Sequence, residues 1–258
     1  AAFSPEARTS HGADLRASSE PMPRRESPLA AAIRTTGRKI DHYKRNALAR
    51  RLRIMERLHI DLVLDLGANT GQYARGLRRA GYEGTIVSFE PLSSAYQRLA
   101  RSAAADRRWQ AVRMGLGARD HEATLHISGD SRASSLQAML PRHREAAAYF
   151  APVGAERVPI RKLDTIWDDH VPEGRQVYLK IDTQGHEEQV LRGAAEALTK
   201  VRGIQMEMSI QPLYEGEKKL PEMVRFLERR GFRLVSLEYG FCDPETAEML
   251  QVDGIFAR

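Results

Sequence analysis

The stretch VLDLGANTGQY, from Val63 to Tyr73, decides the fold. An apolar strand holds an acid, Asp65, near its end, then runs into a Gly-rich turn and the start of a helix. In an open α/β sheet that order builds a ligand pocket at the carboxyl end of a parallel strand. The details of the turn narrow the ligand. A dinucleotide site uses G-x-G-x-x-G, so that backbone N–H groups can close on a pyrophosphate. Here Asn69 stands at the third position of the turn, between Gly67 and Gly71, and Asp65 would repel a phosphate. The plain alternative is a tight strand-to-helix turn in which Asp65 serves as a helix-capping acid.

An acid beside a tight turn suits a ligand with positive charge and no phosphate. S-adenosylmethionine, with its sulfonium and ammonium, is such a ligand. A second acid supports it. The segment TIVSFEP, Thr85 to Pro91, reads as the next buried strand and ends in Glu90. Its distance beyond Gly67 is the ~20 residues expected of an acid that binds ribose hydroxyls. Residues 72–80 between them read as the crossover helix, stopped at Gly81. Ribose occurs in NAD as well; Asp65, Glu90 and Asn69 together favour S-adenosylmethionine.

The 258 residues suffice for one α/β domain with extensions. Apolar content of 42% is ordinary for a globular chain. No apolar run approaches the ~20 residues that span a bilayer. The single cysteine, Cys242, excludes an internal disulfide and a cysteine-based zinc cluster. A cytoplasmic location is the expectation. Residues 1–28, rich in Ala, Ser, Pro and Arg, read as a disordered tail. Arg24 and Arg25 form a twin-arginine pair, but no long apolar stretch follows.

The net charge of +6 is concentrated in residues 29–58, a basic helical segment with nine Lys/Arg against Asp41 and Glu56. Leu48, Leu52, Met55 and Leu58 form an apolar stripe. Lys44, Arg45, Arg50, Arg51, Arg53 and Arg57 form the other face, a solvated surface or a contact for an anionic partner such as acidic lipid.

Residues 59–258 alternate strand and helix signals, which predicts a doubly wound, mostly parallel sheet. Strands are expected at 61–66, 85–90, 109–114, 177–182 and 203–208. A C-terminal pair, 232–239 and 250–257, is expected as an antiparallel edge hairpin. A helix is expected over 187–198, and Pro221 opens another that Gly231 ends. An insertion of about 115–172 contains an alternating stretch at 123–127 and a helix or lid near 142–150. Long connections are commonly functional, so part of the substrate pocket is expected here.

The fourth strand runs into IDTQGHE, Ile181 to Glu187, and faces the same crevice as the first. Methyl transfer to a hydroxyl needs a base and tight alignment of oxygen, methyl and sulfur. His186 has a suitable ordinary pKa, ~6.5; it serves equally as a loop histidine that orients its neighbours. Asp182 is a candidate for orienting the acceptor or binding the donor, and Glu207 on the fifth strand adds a further acid. Asp182 and Glu207 are also compatible with a divalent metal, but two acids do not define a site. Ser134 and Ser135 are candidates for substrate contact or for a simple turn.

These residues resemble the FkbM-type methyltransferases that depend on S-adenosylmethionine. The matching stretches are Leu64–Tyr73, Val87–Pro91, Ser134–Leu136, Leu163 with Asp164, Leu179–Glu187, Val190–Gly193 and Asp253–Phe256. The resemblance implies a class I methyltransferase sheet of Rossmann-like type and O-methylation of hydroxyls on polyketide-like natural products, sugars or glycolipids. It implies donor contacts at Asp65, Gly67, Asn69, Gly71 and Glu90, with Pro91 near the adenosine. It departs at Gln184, where many members carry Glu, and at His186, where many carry a small residue. The Gln184 departure removes a charge and weakens a metal. A nucleic-acid methyltransferase is the alternative suggested by the basic segment. However, residues 182–185 lack the Asn/Asp-Pro-Pro-aromatic motif of amino-methylating enzymes, so no nucleic-acid partner is expected. A non-catalytic protein that binds S-adenosylmethionine is the other alternative.

Overall fold

The computed structural model describes residues 46–146 and 152–258. The tail expected at 1–28, the segment 29–45 and the end of the lid at 147–151 lie outside the described residues. Seven strands form the main sheet: β1 (Leu62–Leu66), β2 (Thr85–Phe89), β3 (Trp109–Val112), β7 (Val177–Ile181), β8 (Val201–Ser209), β9 (Arg233–Tyr239) and β10 (Gln251–Ala257). Their order is β3-β2-β1-β7-β8-β10-β9. All pairs are parallel except those of β10, which runs antiparallel to both β8 and β9. The expected C-terminal hairpin is present, with β10 inside it and β9 outermost. The chain winds outward through β2 and β3, then returns to β7 on the other side of β1. That reversal opens a crevice at the carboxyl ends of β1 and β7, where α/β sheets bind ligands.

The central strands are buried on both faces, which is why they read as near-continuous apolar runs. Leu62, Leu64 and Leu66 pack with Leu179, Ile181, Val190 and Leu191 on one face. Val63, Ile86 and Tyr178 pack with Leu77, Leu99 and Met55 on the other. Each fully buried leucine removes apolar area worth about 1.5–3 kcal/mol.

Helices α1 (Ala47–Arg57), α2 (Gln72–Arg79) and α3 (Ser93–Ala103) contribute to the second face. Asn46 caps α1 by accepting the Ala49 N–H at 2.9 Å. The basic face of α1 is not wholly given to solvent. Arg50 Nε donates to Ser236 Oγ at 2.8 Å, and Arg51 pairs with Glu238, both on β9. Arg53 and Arg57 are exposed.

The insertion forms a three-stranded sheet in the order β4-β6-β5, from β4 (Gly115–Leu116), β5 (His121–Ser128) and β6 (Pro152–Arg161). Leu125, Val158 and Ile160 seat it on Leu92 and Ala95 of the main domain. Helices α4 (Pro141–Ala146) and α5 (Leu163–His170) follow β5 and β6.

The helix expected over 187–198 is two: α6 (Glu187–Arg192) and α7 (Ala197–Lys200). The break has a cause. A Cβ at Gly193 would lie 1.9 Å from the Gly117 carbonyl oxygen, so chain and insertion meet backbone to backbone there. The Asp164 carboxylate then accepts the Glu196 and Ala197 N–H groups at 3.2 and 2.8 Å and starts a new helix. A final helix, α8 (Leu220–Glu228), has Pro221 in its first turn. No helix among the described residues is long and apolar enough to cross a membrane.

Candidate functional site

The turn after β1 is built by backbone approach. Gly67 has φ +80°, and a Cβ on it would stand 1.9 Å from the Asp182 carbonyl oxygen. The Gly67 and Ala68 N–H groups both donate to the Phe89 carbonyl, each at 3.0 Å. Asn69 follows at φ +49°, and Gly71 leads into α2. The Asn69 N–H donates to Glu90 Oε2 at 2.7 Å, and the Leu92 N–H donates to Oε1 at 2.8 Å. Asn69 Nδ2 reaches Ser131 Oγ at 2.9 Å and ties the turn to the insertion.

Two buried acids flank this turn. Burial pushes the Glu90 carboxyl up to about 7, against the lowering effect of its two backbone donors. Asp65 is pushed up to about 6, again by burial, with Lys180 opposing. Ser88 Oγ donates to Asp65 Oδ2 at 3.1 Å and itself receives the Trp109 indole N–H at 3.0 Å.

Two cavities meet at Gly67, Asn69, Asp182 and Gln184. The narrow one is lined by Glu90 and Pro91 together with Met114, Leu116, Leu125 and Leu136. The broad one has a volume of about 560 Å³ and is lined by polar groups, among them Asp65, Lys180, Asp182, Gln205, Glu207 and Asp253.

A hydrogen-bonded array floors the broad cavity. Lys180 Nζ lies 2.9 Å from Asp182 Oδ2. Gln184 Nε2 donates to Asp182 Oδ1 at 2.7 Å and to Glu207 Oε2 at 2.9 Å. Gln251 Nε2 also donates to Glu207 Oε2, at 3.0 Å. Burial, then the charges of Asp182 and Asp253, raise the Glu207 carboxyl well above the ordinary range. The Lys180 ammonium is held charged by Asp182 and Asp253 despite its burial. Tyr73 donates to Gln205 Oε1 at 2.9 Å and lies beneath the Arg51 guanidinium, 5.1 Å from its ring centroid.

The structure therefore brings Asp182 and Glu207 together through Gln184 and separates His186 from Glu207. His186 lines the narrow cavity with Glu90 and Pro91. Its Nδ1 faces Gln137 Nε2 at 3.1 Å, and burial pulls its pKa down to about 4. Ser134 lines the narrow cavity, whereas Ser135 is buried and donates to the Gln184 carbonyl at 2.5 Å. Sequence reasoning did not single out Lys180, Gln205, Gln251 or Arg51 as site residues. For Lys180 and Gln205 a signal exists: a polar residue inside an apolar strand must be paired or face a ligand.

The sequence profile of the methyltransferase FkbM domain matches residues 65–234. A curated relative, the 2-O-methyltransferase NoeI of Sinorhizobium fredii, is 28% identical over 181 residues, 68% of this chain and 73% of that protein. Among solved structures, methyltransferase FkbM from Methylobacillus flagellatus aligns at 16% identity and a TM-score of 0.49, over 77% of this chain. This chain spans only 44% of that one. Magnesium protoporphyrin IX methyltransferase from Synechocystis aligns at 12% identity and a TM-score of 0.45, over 90% of this chain and 85% of that one.

Proposed function

The chain belongs to the FkbM methyltransferase family, and on that premise we propose that it methylates a hydroxyl of a sugar, glycolipid or polyketide-like acceptor, with S-adenosylmethionine as donor. The donor set supports this cofactor. Asp65 and Glu90 are buried acids that flank the turn, which suits a ligand carrying positive charge and ribose hydroxyls. Apolar Met114, Leu116, Leu125 and Leu136 line the narrow cavity beside Glu90 and suit a flat base. We assign the donor's ribose to Glu90, its adenine side to Pro91 and the narrow cavity, and its charged end to the turn at Gly67–Gly71 and Asp65. When bound, S-adenosylmethionine supplies an electrophilic methyl on sulfur.

The acceptor belongs to the broad cavity, whose carboxylates and amides match a hydroxyl-rich molecule. The observation that carries the base assignment is the occupancy of the two carboxylates. Asp182 has both oxygens engaged, one by Lys180 and one by Gln184. Glu207 has both amide donors on Oε2, which leaves Oε1 for a ligand. Glu207 therefore takes the hydroxyl proton, and the Lys180–Asp182 pair fixes the charge pattern beside it. His186 walls the donor side, where its neutral ring suits contact with an uncharged base.

Calorimetry tests the donor: micromolar-range binding of S-adenosylmethionine is expected, and no binding ends this reading. Incubation with glycan and metabolite extracts, read by mass spectrometry for the gain of one methyl group, tests the transfer. Glu207→Gln should abolish that gain while leaving donor binding in place.

A further inference from the structure

We propose that Gln184 is a positioning residue: its amide cross-links the carboxylates of Asp182 and Glu207 and occupies the place where a proton or a cation would otherwise bridge them. The proposal takes its meaning from the methyl-transfer reading above, but its geometry stands on its own. Gln184 Nε2 has two hydrogens, and each has a carboxylate, at 2.7 Å and 2.9 Å. Its other end is fixed as oxygen, because it accepts the Tyr214 hydroxyl at 2.8 Å. Tyr214 is fully buried, and its burial keeps the phenol protonated as a donor.

The backbone shows the same constraint. Gln184 sits at φ +55°, a left-handed conformation uncommon for so large a side chain. The Ser135 hydroxyl holds it there by donating to its carbonyl at 2.5 Å. Side chains kept in such conformations concentrate at functional sites.

Two adjacent carboxylates resist being charged together; one takes a proton or both take a cation. The amide satisfies both while adding no charge. The charged and titratable groups facing the pair are Lys180 on β7, Asp253 on β10, Glu187 on α6 and Tyr214 after β8. Lys180 offsets the acids at contact distance, and Arg51 and Arg132 line the same cavity. Substituting Gln184→Glu would put a third carboxylate against the other two with no change in shape. Among the described residues no three acidic or histidine side chains are now arranged to hold a metal; this variant would create such a trio.

The test uses the full chain and Q184E in thermal melts between about pH 5.5 and pH 8.5, with chelator, Mg²⁺ or Mn²⁺. The wild type should show no change in Tm with either cation. Q184E should match it at the acid end, lose several degrees at the alkaline end, and regain them with Mn²⁺. Tyr214→Phe, which keeps the ring and frees the amide oxygen, should lower Tm at all pH values with no cation response. Cation stabilisation of the wild type, or a Q184E variant whose Tm follows that of the wild type at every pH and does not respond to cation, would overturn the proposal. Wild-type failure to bind S-adenosylmethionine would instead overturn the donor reading, while the melts still decide the role of Gln184.

Discussion

The backbone N–H of Asn69 is bonded to the carboxylate of Glu90 at 2.7 Å, joining the turn after β1 to the end of β2. With the Leu92 N–H on the other oxygen, Glu90 ties together the turn after β1, the end of β2 and the start of α3, the place we propose for the donor. Glu90→Ala strands two buried N–H groups, each costing about 1–3 kcal/mol. Urea denaturation should show a loss of roughly 2–6 kcal/mol, and calorimetry a fall in S-adenosylmethionine affinity of at least about tenfold. Wild-type affinity in a folded Glu90→Ala protein would remove Glu90 from the donor site.

The buried acids set a pH dependence. Asp65 is pushed up to about 6, and Glu90 and Glu187 to about 7, each chiefly by burial. The native state then holds protons that the unfolded state releases, so this stability is present at low pH and lost as pH rises through those values. His143 and His186, pulled down to about 4 by burial, act oppositely, but only below the ordinary histidine pKa of ~6.5. The ligand-free protein should therefore lose a few degrees of Tm between about pH 6.5 and pH 8. Glu187→Gln, which can still accept the Thr183 N–H that Glu187 Oε1 now receives, should flatten that slope. A Tm that rises across this window would mean the acids are solvated.

His186 tests the division between the two cavities. Its ring lines the narrow one, so His186→Ala should weaken S-adenosylmethionine binding by about three- to tenfold, as for the loss of one polar contact. The transfer rate at saturating donor should change little. A variant with normal donor affinity and a collapsed rate would return the base role to His186.

The sheet was legible because its strands are buried on both faces and punctuated by Gly67, Gly81 and Glu90 at the intervals a doubly wound fold needs. The acids Asp65 and Glu90 were legible for the same reason: each sits near the carboxyl end of a strand the pattern locates. The break at Gly193 was not, because its cause is the backbone of Gly117 and the carboxylate of Asp164, both distant in sequence. Strand β6 was missed because its core contacts, Val158 and Ile160, come only from the far half of the strand. Nor was the Lys180–Asp182–Gln184–Glu207 array visible, since it depends on β7 lying beside β8 and on the left-handed turn at Gln184.

Helix α1 offers a last test, because its arginines read as a surface face and yet two of them serve the interior. Arg51 pairs with Glu238, whose side chain is only 3% exposed, and stacks on Tyr73 at the broad cavity. Removing Arg51 leaves the buried Glu238 carboxylate with Arg50 Nη2 at 4.0 Å; losing one partner of a buried pair costs up to about 3–5 kcal/mol, whereas removing both can cost much less. Arg51→Ala should thus destabilise the protein strongly, and Arg51→Ala with Glu238→Gln should recover part of the loss in a double-mutant cycle. Because Arg51 also orders Tyr73, whose hydroxyl holds Gln205 at 2.9 Å, the double variant should regain stability without regaining full transfer activity. Additive effects on stability would mean that the pair is solvated and that α1 is an ordinary surface helix.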